Sequence, residues 1–261
     1  MHRSGVFLPC LFLWACTEAE PDRSARVERV QSVQAITVSD GEGAQKTLLI
    51  AGILGPDRDL APEAAIQARQ QLNAWLAEAA LSHTPTGEPD RYGRTPSDVR
   101  LSDGTDLAVR LVETGHAIVW PRPGQGAGFD VLLAAEARAR TQSAGGWSAG
   151  GFAVRDPDPN RLAPYLDSAQ IVQGRVISTG SARDGRVFIN FGLDWRTDFT
   201  VVADEDTAAQ FLAAGTDLSA LDGSIIRVRG WLYELNGPSI SLQHVAQVEL
   251  VDAPSASTLL D

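Results

Sequence analysis

Apolar and polar positions follow two periods along this chain, and the switches between them predict its elements. Val30–Val38 and Lys46–Ile53 read as strands, the second an apolar run suited to a strand covered on both faces. From Pro62 to about Glu78 the period lengthens, and Ala65, Ala68, Leu72, Trp75 and Leu76 fall at helical spacing behind a proline that opens the helix. A turn cluster, Thr84-Pro85-Thr86-Gly87-Glu88-Pro89, precedes a strand-like segment, Asp98-Val99-Arg100-Leu101. Leu107–Gly115 is an amphipathic helix closed by glycine. A short apolar segment, Ala117–Pro121, and a helix around Leu132–Thr141 complete this half, with Trp75 and Trp120 read as core.

The pattern lapses over Gly145–Gly151 and Asp156-Pro157-Asp158-Pro159, where prolines favour an extended path; residues 151–162 read as a linker. Alternation resumes in Ile171–Ser178, Arg186–Phe191 and Phe199–Val202, followed by a helix, Thr207–Ala214. Ser224–Leu232 and Ser239–Leu242 are the last two strands, joined through the hairpin signal Asn236-Gly237. Three strands, a helix and a hairpin are the order of an OB-fold barrel. The fold class expected is therefore mainly β with α (α+β).

Charge narrows the partners. The chain carries 22 basic and 33 acidic residues, a net charge of -11, and Lys46 is its one lysine. Such a balance repels nucleic acid at long range, which disfavours but does not remove it as a partner. In the second barrel Phe188, Trp195, Phe199, Trp231 and Tyr233 supply aromatics, and Arg175, Arg186, Arg196, Arg227 and Arg229 supply charge. With Asp194, Asp198 and Asp204–Asp206 beside them, these read as an aromatic core with paired surface arginines. His83 and His116 have no neighbouring Cys or His at metal spacing.

The segment richest in candidate chemistry is Asp90-Arg91-Tyr92-Gly93-Arg94-Thr95. A planar guanidinium fork suits phosphate. With Leu107–Gly115, the Trp120-Pro121 step, the Ala-rich helix and Gly146-Trp147-Ser148 downstream, it resembles the staphylococcal-nuclease-like (thermonuclease) family over about residues 27–150. The resemblance implies an OB barrel with three helices, and a calcium-dependent phosphodiesterase site. In that family two Asp hold the metal, a Glu activates water and two Arg stabilise the transition state.

Carried onto this chain, the metal Asp positions become Gln34 and Leu54, the first Arg becomes Leu49, and the Glu becomes Asp57. Arg94 alone matches without change; Tyr92 and Arg91 are the candidate nucleic-acid contacts. Calcium needs several oxygen ligands, of which Gln34 offers one and Leu54 none. The expectation is thus no metal and no cofactor, and a catalytically degenerate nuclease-like protein acting as a binding or scaffold module, with an envelope protein as partner. The alternative is an active phosphodiesterase with a rearranged site: Arg94 stabilising charge, Asp57 as base, and Asp59 or Asp40 recruiting a metal. Asp40-Gly41-Glu42-Gly43 itself reads as a hairpin turn.

The N-terminus adds location. Met1-His2-Arg3 precedes an apolar stretch too short to span a bilayer, ending in Leu13-Trp14-Ala15-Cys16, which resembles a bacterial lipoprotein box. This implies lipidation of Cys16 and, because Thr17 is not Asp, an outer-membrane lipoprotein of a bacterial cell envelope facing the periplasm; the alternative is a plain secreted protein. The layout expected is residues 1–15 signal peptide, 16–29 tether, 30–150 nuclease-like domain, 151–162 linker, 163–253 OB-like barrel and 254–261 tail.

Overall fold

Each of the two strands expected at the start of the chain breaks where the backbone has to reverse. The structure, a computed structural model, describes residues 23–77, 79–126 and 128–251. The expected signal peptide, Cys16 as the expected lipidation site and the expected 254–261 tail lie outside the described residues. Strand β1 (Arg23–Ser32) turns at Val33–Gln34 into β2 (Ala35–Ser39), and β3 (Gln45–Ile50) turns at Ala51–Gly52 into β4 (Ile53–Leu54). Helix α1 (Pro62–Leu76) leads to β5 (Ala80–Pro85) and β6 (Arg94–Leu101). Then come α2 (Leu107–Glu113), β7 (Ile118–Val119) and α3 (Asp130–Thr141).

The order β1-β2-β3-β6-β5 closes a barrel, because β1 pairs with both β2 and β5 and β3 pairs with β6 in parallel. Ile36, Val38, Leu48, Ile50, Leu81 and Val99 fill it, and Leu72 and Leu76 of α1 and Leu111 of α2 join the same core. Alternation explains the choice: successive strand residues face opposite sides, so every second apolar position is buried. The tether expected to run to residue 29 is corrected here. Ala25 is buried while Arg26, Glu28 and Arg29 face solvent, and bulges after Val27 and Val30 disturb the period that would have exposed the strand. Gly115 (φ 71) ends α2, and a Cβ there would sit 2.0 Å from the Ala144 carbonyl oxygen.

The expected linker is also built into the fold. Within it β8 (Val154–Arg155) lies parallel to β9 (Ser168–Arg175), and α4 (Pro159–Leu162) buries Leu162 in the second core. The chain continues through β10 (Ser178–Ser181), β11 (Val187–Asn190), β12 (Thr200–Ala203), α5 (Glu205–Ala213), β13 (Ile225–Glu234), β14 (Pro238–Ser241) and β15 (Val248–Leu250). The pairing path is β10-β11-β12-β14-β13-β9, with β12 and β14 parallel. Since β9 and β10 are two halves of one interrupted strand, the path returns to where it began, as in the first barrel. Phe199 and Phe211 lie in its core with Ile189, Val201 and Leu232.

One buried group joins the barrels. Arg229 of β13, expected at the surface, is fully buried. Its Nη1 donates to Glu136 Oε2 of α3 at 2.7 Å and to the Val119 carbonyl at 3.0 Å, while Nη2 donates to Glu249. Glu136 Oε2 also accepts the Val119 N–H at 2.7 Å. Burial opposes the charge on Arg229, but Glu136 and Glu249 outweigh it and hold its pKa above the ordinary value. Nearby, the His244 ring packs edge-on against Phe129, 5.0 Å between centroids.

Candidate functional site

The β1–β2 turn, β4, the loop of residues 55–61 and the opening turn of α1 meet the second barrel across a cleft of about 470 Å³. Gln34, Leu54 and Asp57 all line it. The positions that the resemblance marks for metal and base are therefore brought together, but with different chemistry. Gln34 Oε1 accepts the Gly55 N–H at 3.2 Å. Leu54 is held in a two-residue ladder with Ile118 and offers no ligand atom. Asp57 Oδ1 accepts the N–H groups of Asp59 (2.8 Å) and Leu60 (3.1 Å), so it shapes its own loop. Leu49 is buried between Ala35 and Pro96 in the ladder.

These groups do not fit calcium. The ion takes six to eight oxygens, and this set supplies one amide oxygen turned to a backbone N–H and one carboxylate turned to two others. Among the described residues, no group of three or more His, Cys, Asp or Glu is placed to hold a metal. Asp40 takes the N–H groups of Glu42 and Ala44 within its hairpin turn.

Arg94 stands apart from the cleft lining. It opens β6, and its Nε and Nη2 donate to Asp90 Oδ2 at 2.8 and 2.7 Å. The hydrogen bond from Arg94 leads the causes that lower the Asp90 pKa from 3.8 to about 2. Asp90 Oδ1 further accepts the backbone N–H groups of Tyr92 and Arg94. The Arg91 and Arg94 guanidiniums each lie 5.1 Å from the exposed Tyr92 ring. The Arg-Tyr-Gly-Arg tip is thus satisfied within itself.

The cleft also has residues that pattern reading did not single out as a site. Arg58 and Arg69 line it and make no hydrogen bond or ion pair with any described residue. Across from them Arg155 stacks on Tyr165, its carbon Cζ 3.1 Å from the ring centroid, and burial lowers its pKa. Trp231 lines the same space with half its surface exposed. A signal for Arg69 exists in the helix register. The core face of α1 is Ala64, Ala68, Leu72 and Leu76, so Ala65, read as core, turns with Ile66 and Arg69 toward the cleft. Chemically, the arrangement can hold an anionic group on two unpaired guanidiniums beside an indole, at the uncapped N-terminus of α1.

Residues 60–149 match the family model described as staphylococcal nuclease homologue. The matched span holds Arg91, Tyr92 and Arg94, whereas Gln34, Leu49, Leu54 and Asp57 precede it. No curated protein matches the chain significantly.

Proposed function

We propose that this chain, whose residues 60–149 match the staphylococcal nuclease homologue model, is a catalytically degenerate relative of that family that works as a binding module. One observation carries the reading: the polar groups at the family's reactive positions have turned to intramolecular partners. Gln34 holds the Gly55 N–H, Asp57 holds the loop N–H groups of Asp59 and Leu60, and Arg94 is fixed on Asp90 outside the cleft lining. What the cleft keeps is recognition chemistry: Arg58 and Arg69 without partners, beside Trp231. The module would act at the cell envelope, anchored through lipid on Cys16; the Leu13-Trp14-Ala15-Cys16 box supports that part.

The test is turnover of single-stranded DNA and RNA by the full chain in detergent, with and without calcium. The expected result is no calcium-stimulated cleavage. Stimulated cleavage that is abolished in Arg94→Ala would overturn the degenerate reading in favour of an active phosphodiesterase. For the anchor, Cys16→Ser should move the protein from the detergent phase to the aqueous phase of a phase-separation extract.

A further inference from the structure

A second cavity, of about 330 Å³, lies on the outer face of the second barrel, and no part of the function above uses it. Its floor is β10, β11, β12 and β14; one wall is the loop before β12 that carries Trp195, and the other is the β13–β14 turn at Leu235–Asn236. In OB barrels this face, the second and third strands with the loop between the fourth and fifth, binds oligonucleotides and oligosaccharides.

The site is built. Asp198 Oδ2 accepts the Asp194 N–H at 2.8 Å, Asp194 Oδ1 accepts the Arg196 N–H at 3.1 Å, and the Asp198 N–H donates to the Asp194 carbonyl at 2.9 Å. This turn holds Trp195 outward with 53% of its surface exposed. Arg196 covers one face of the indole, 4.4 Å from its centroid. The two walls touch: a Cβ on Gly237 (φ 95) would lie 2.5 Å from the Thr197 carbonyl oxygen, so only glycine lets the hairpin turn reach the Trp195 loop.

The lining chemistry names the ligand. In a chain that is 21% charged, no charged side chain lines this groove. It presents the faces or edges of Trp195 and Phe188, and a fringe of neutral hydroxyls and amides: Ser181, Asn190, Asn236 and Ser239. Some are pre-set by neighbours, since Asn190 Nδ2 donates to Ser178 Oγ at 3.3 Å and Asn190 Oδ1 accepts from Thr200 Oγ1 at 3.3 Å. Ser181 and Asn236 make no side-chain hydrogen bond to any described residue. An anionic polymer would meet no cation among the lining residues, only Arg186 and Arg196 over the Phe188 and Trp195 rings, within a chain of net charge -11. An extended peptide could add only along β10, a four-residue strand paired with β11 alone, because β11, β12 and β14 each pair on both sides. A pyranose ring fits both halves of the lining. Its C–H face lies on an aromatic surface, and its hydroxyls, which both donate and accept, match amides and hydroxyls.

We propose that this groove is a binding site for a neutral oligosaccharide, with Trp195 as its stacking platform. The proposal stands independently of the cleft and of the question of catalysis.

The experiment is calorimetric titration of the full chain in detergent with neutral tetrasaccharides: α- and β-linked glucose and β-linked N-acetylglucosamine. Oligothymidylate and a tetragalacturonate serve as anionic controls, and an uncharged apolar peptide as a third. Binding of at least one neutral glycan is expected, weakened about tenfold by Trp195→Ala, the loss of one aromatic contact. Ser181→Val, a surface change in a strand that accepts β-branched residues, should weaken the same glycan without altering circular dichroism. No binding across the neutral panel, binding insensitive to both substitutions, or preference for the anionic or peptide ligands would overturn the proposal.

Discussion

The two barrels share one topology and differ in what they do with it. In each, an interrupted or bulged first strand serves two neighbours: β1 pairs with β5 and β2, while β9 and β10 pair with β13 and β11. In each, a parallel pair closes the path, β3 with β6 and β12 with β14. The interiors diverge. The first core is aliphatic apart from Phe129, whereas the second is packed around Phe191, Phe199 and Phe211. The connecting helices diverge as well. The side-chain-capped α5 buries Phe211 in its own barrel, but α1 has no side-chain cap and opens onto the cleft. The strand path alone therefore says little about where a ligand sits; that depends on which loops are satisfied within themselves and which are left facing a cavity.

One buried charge, Arg229, locks the two barrels together, and the largest expected effect comes from breaking that lock. Arg229→Met leaves Glu136 buried without its main partner and should cost about 3–5 kcal/mol in urea denaturation of the full chain. Replacing Arg229, Glu136 and Glu249 together by apolar residues should restore much of that loss, because the pairing offsets its own desolvation. A restored stability no higher than that of Arg229→Met would show that the lock is more than charge compensation.

Next in size are the cores. Phe199→Ala in the second barrel should cost about 3–5 kcal/mol and Leu72→Ala in the first about 2–5 kcal/mol. With the lock intact, either change should shift one common unfolding transition. Two separate transitions, each answering to one substitution, would show that the barrels unfold independently.

The smallest effect sharpens the contrast at the Arg-Tyr-Gly-Arg tip. The Asp90 pKa of about 2 lies below its ordinary 3.8. The native state therefore gains from the ionised carboxylate above pH 3.8, and loses that gain as pH falls through about 2. Arg94→Ala removes the leading cause, so the Asp90 carboxyl followed by NMR should titrate nearer 3.8. An unchanged titration would mean that Arg94 is not held on Asp90 in solution.

Much of this architecture was legible where a residue's fate depends on near neighbours. The second barrel's strands and helix follow its alternation to within a few residues. The turn at Asp40–Gly43 and the α2 stop at Gly115 follow from local backbone chemistry. Reading failed where partners are distant. Residues 23–29 look like a polar tether because Arg26, Glu28 and Arg29 face outward from a strand whose first four residues pair more than 50 positions away, at β5. Val154–Arg155 looks like linker because only β9 makes it a strand. Arg229 looks like any surface arginine, since Glu136 stands 93 positions earlier. At the cleft, the substitutions Gln34 and Leu54 were readable, but the new use of Asp57 as a loop cap and the role of Arg69 needed the three-dimensional packing.

The early start of β1 also sets a length. With Cys16 lipidated as proposed, six residues, 17–22, separate the anchor from Arg23, the first paired one among the described residues. Fully extended they span about 20 Å, whereas a tether running through residue 29 would reach about 45 Å. The volume that the barrel sweeps scales with the cube of that reach and shrinks by roughly a factor of ten. With that anchor, the module would sample a thin shell over the leaflet, raising the effective concentration of any partner fixed in the same membrane and leaving little reach toward partners deeper in the compartment.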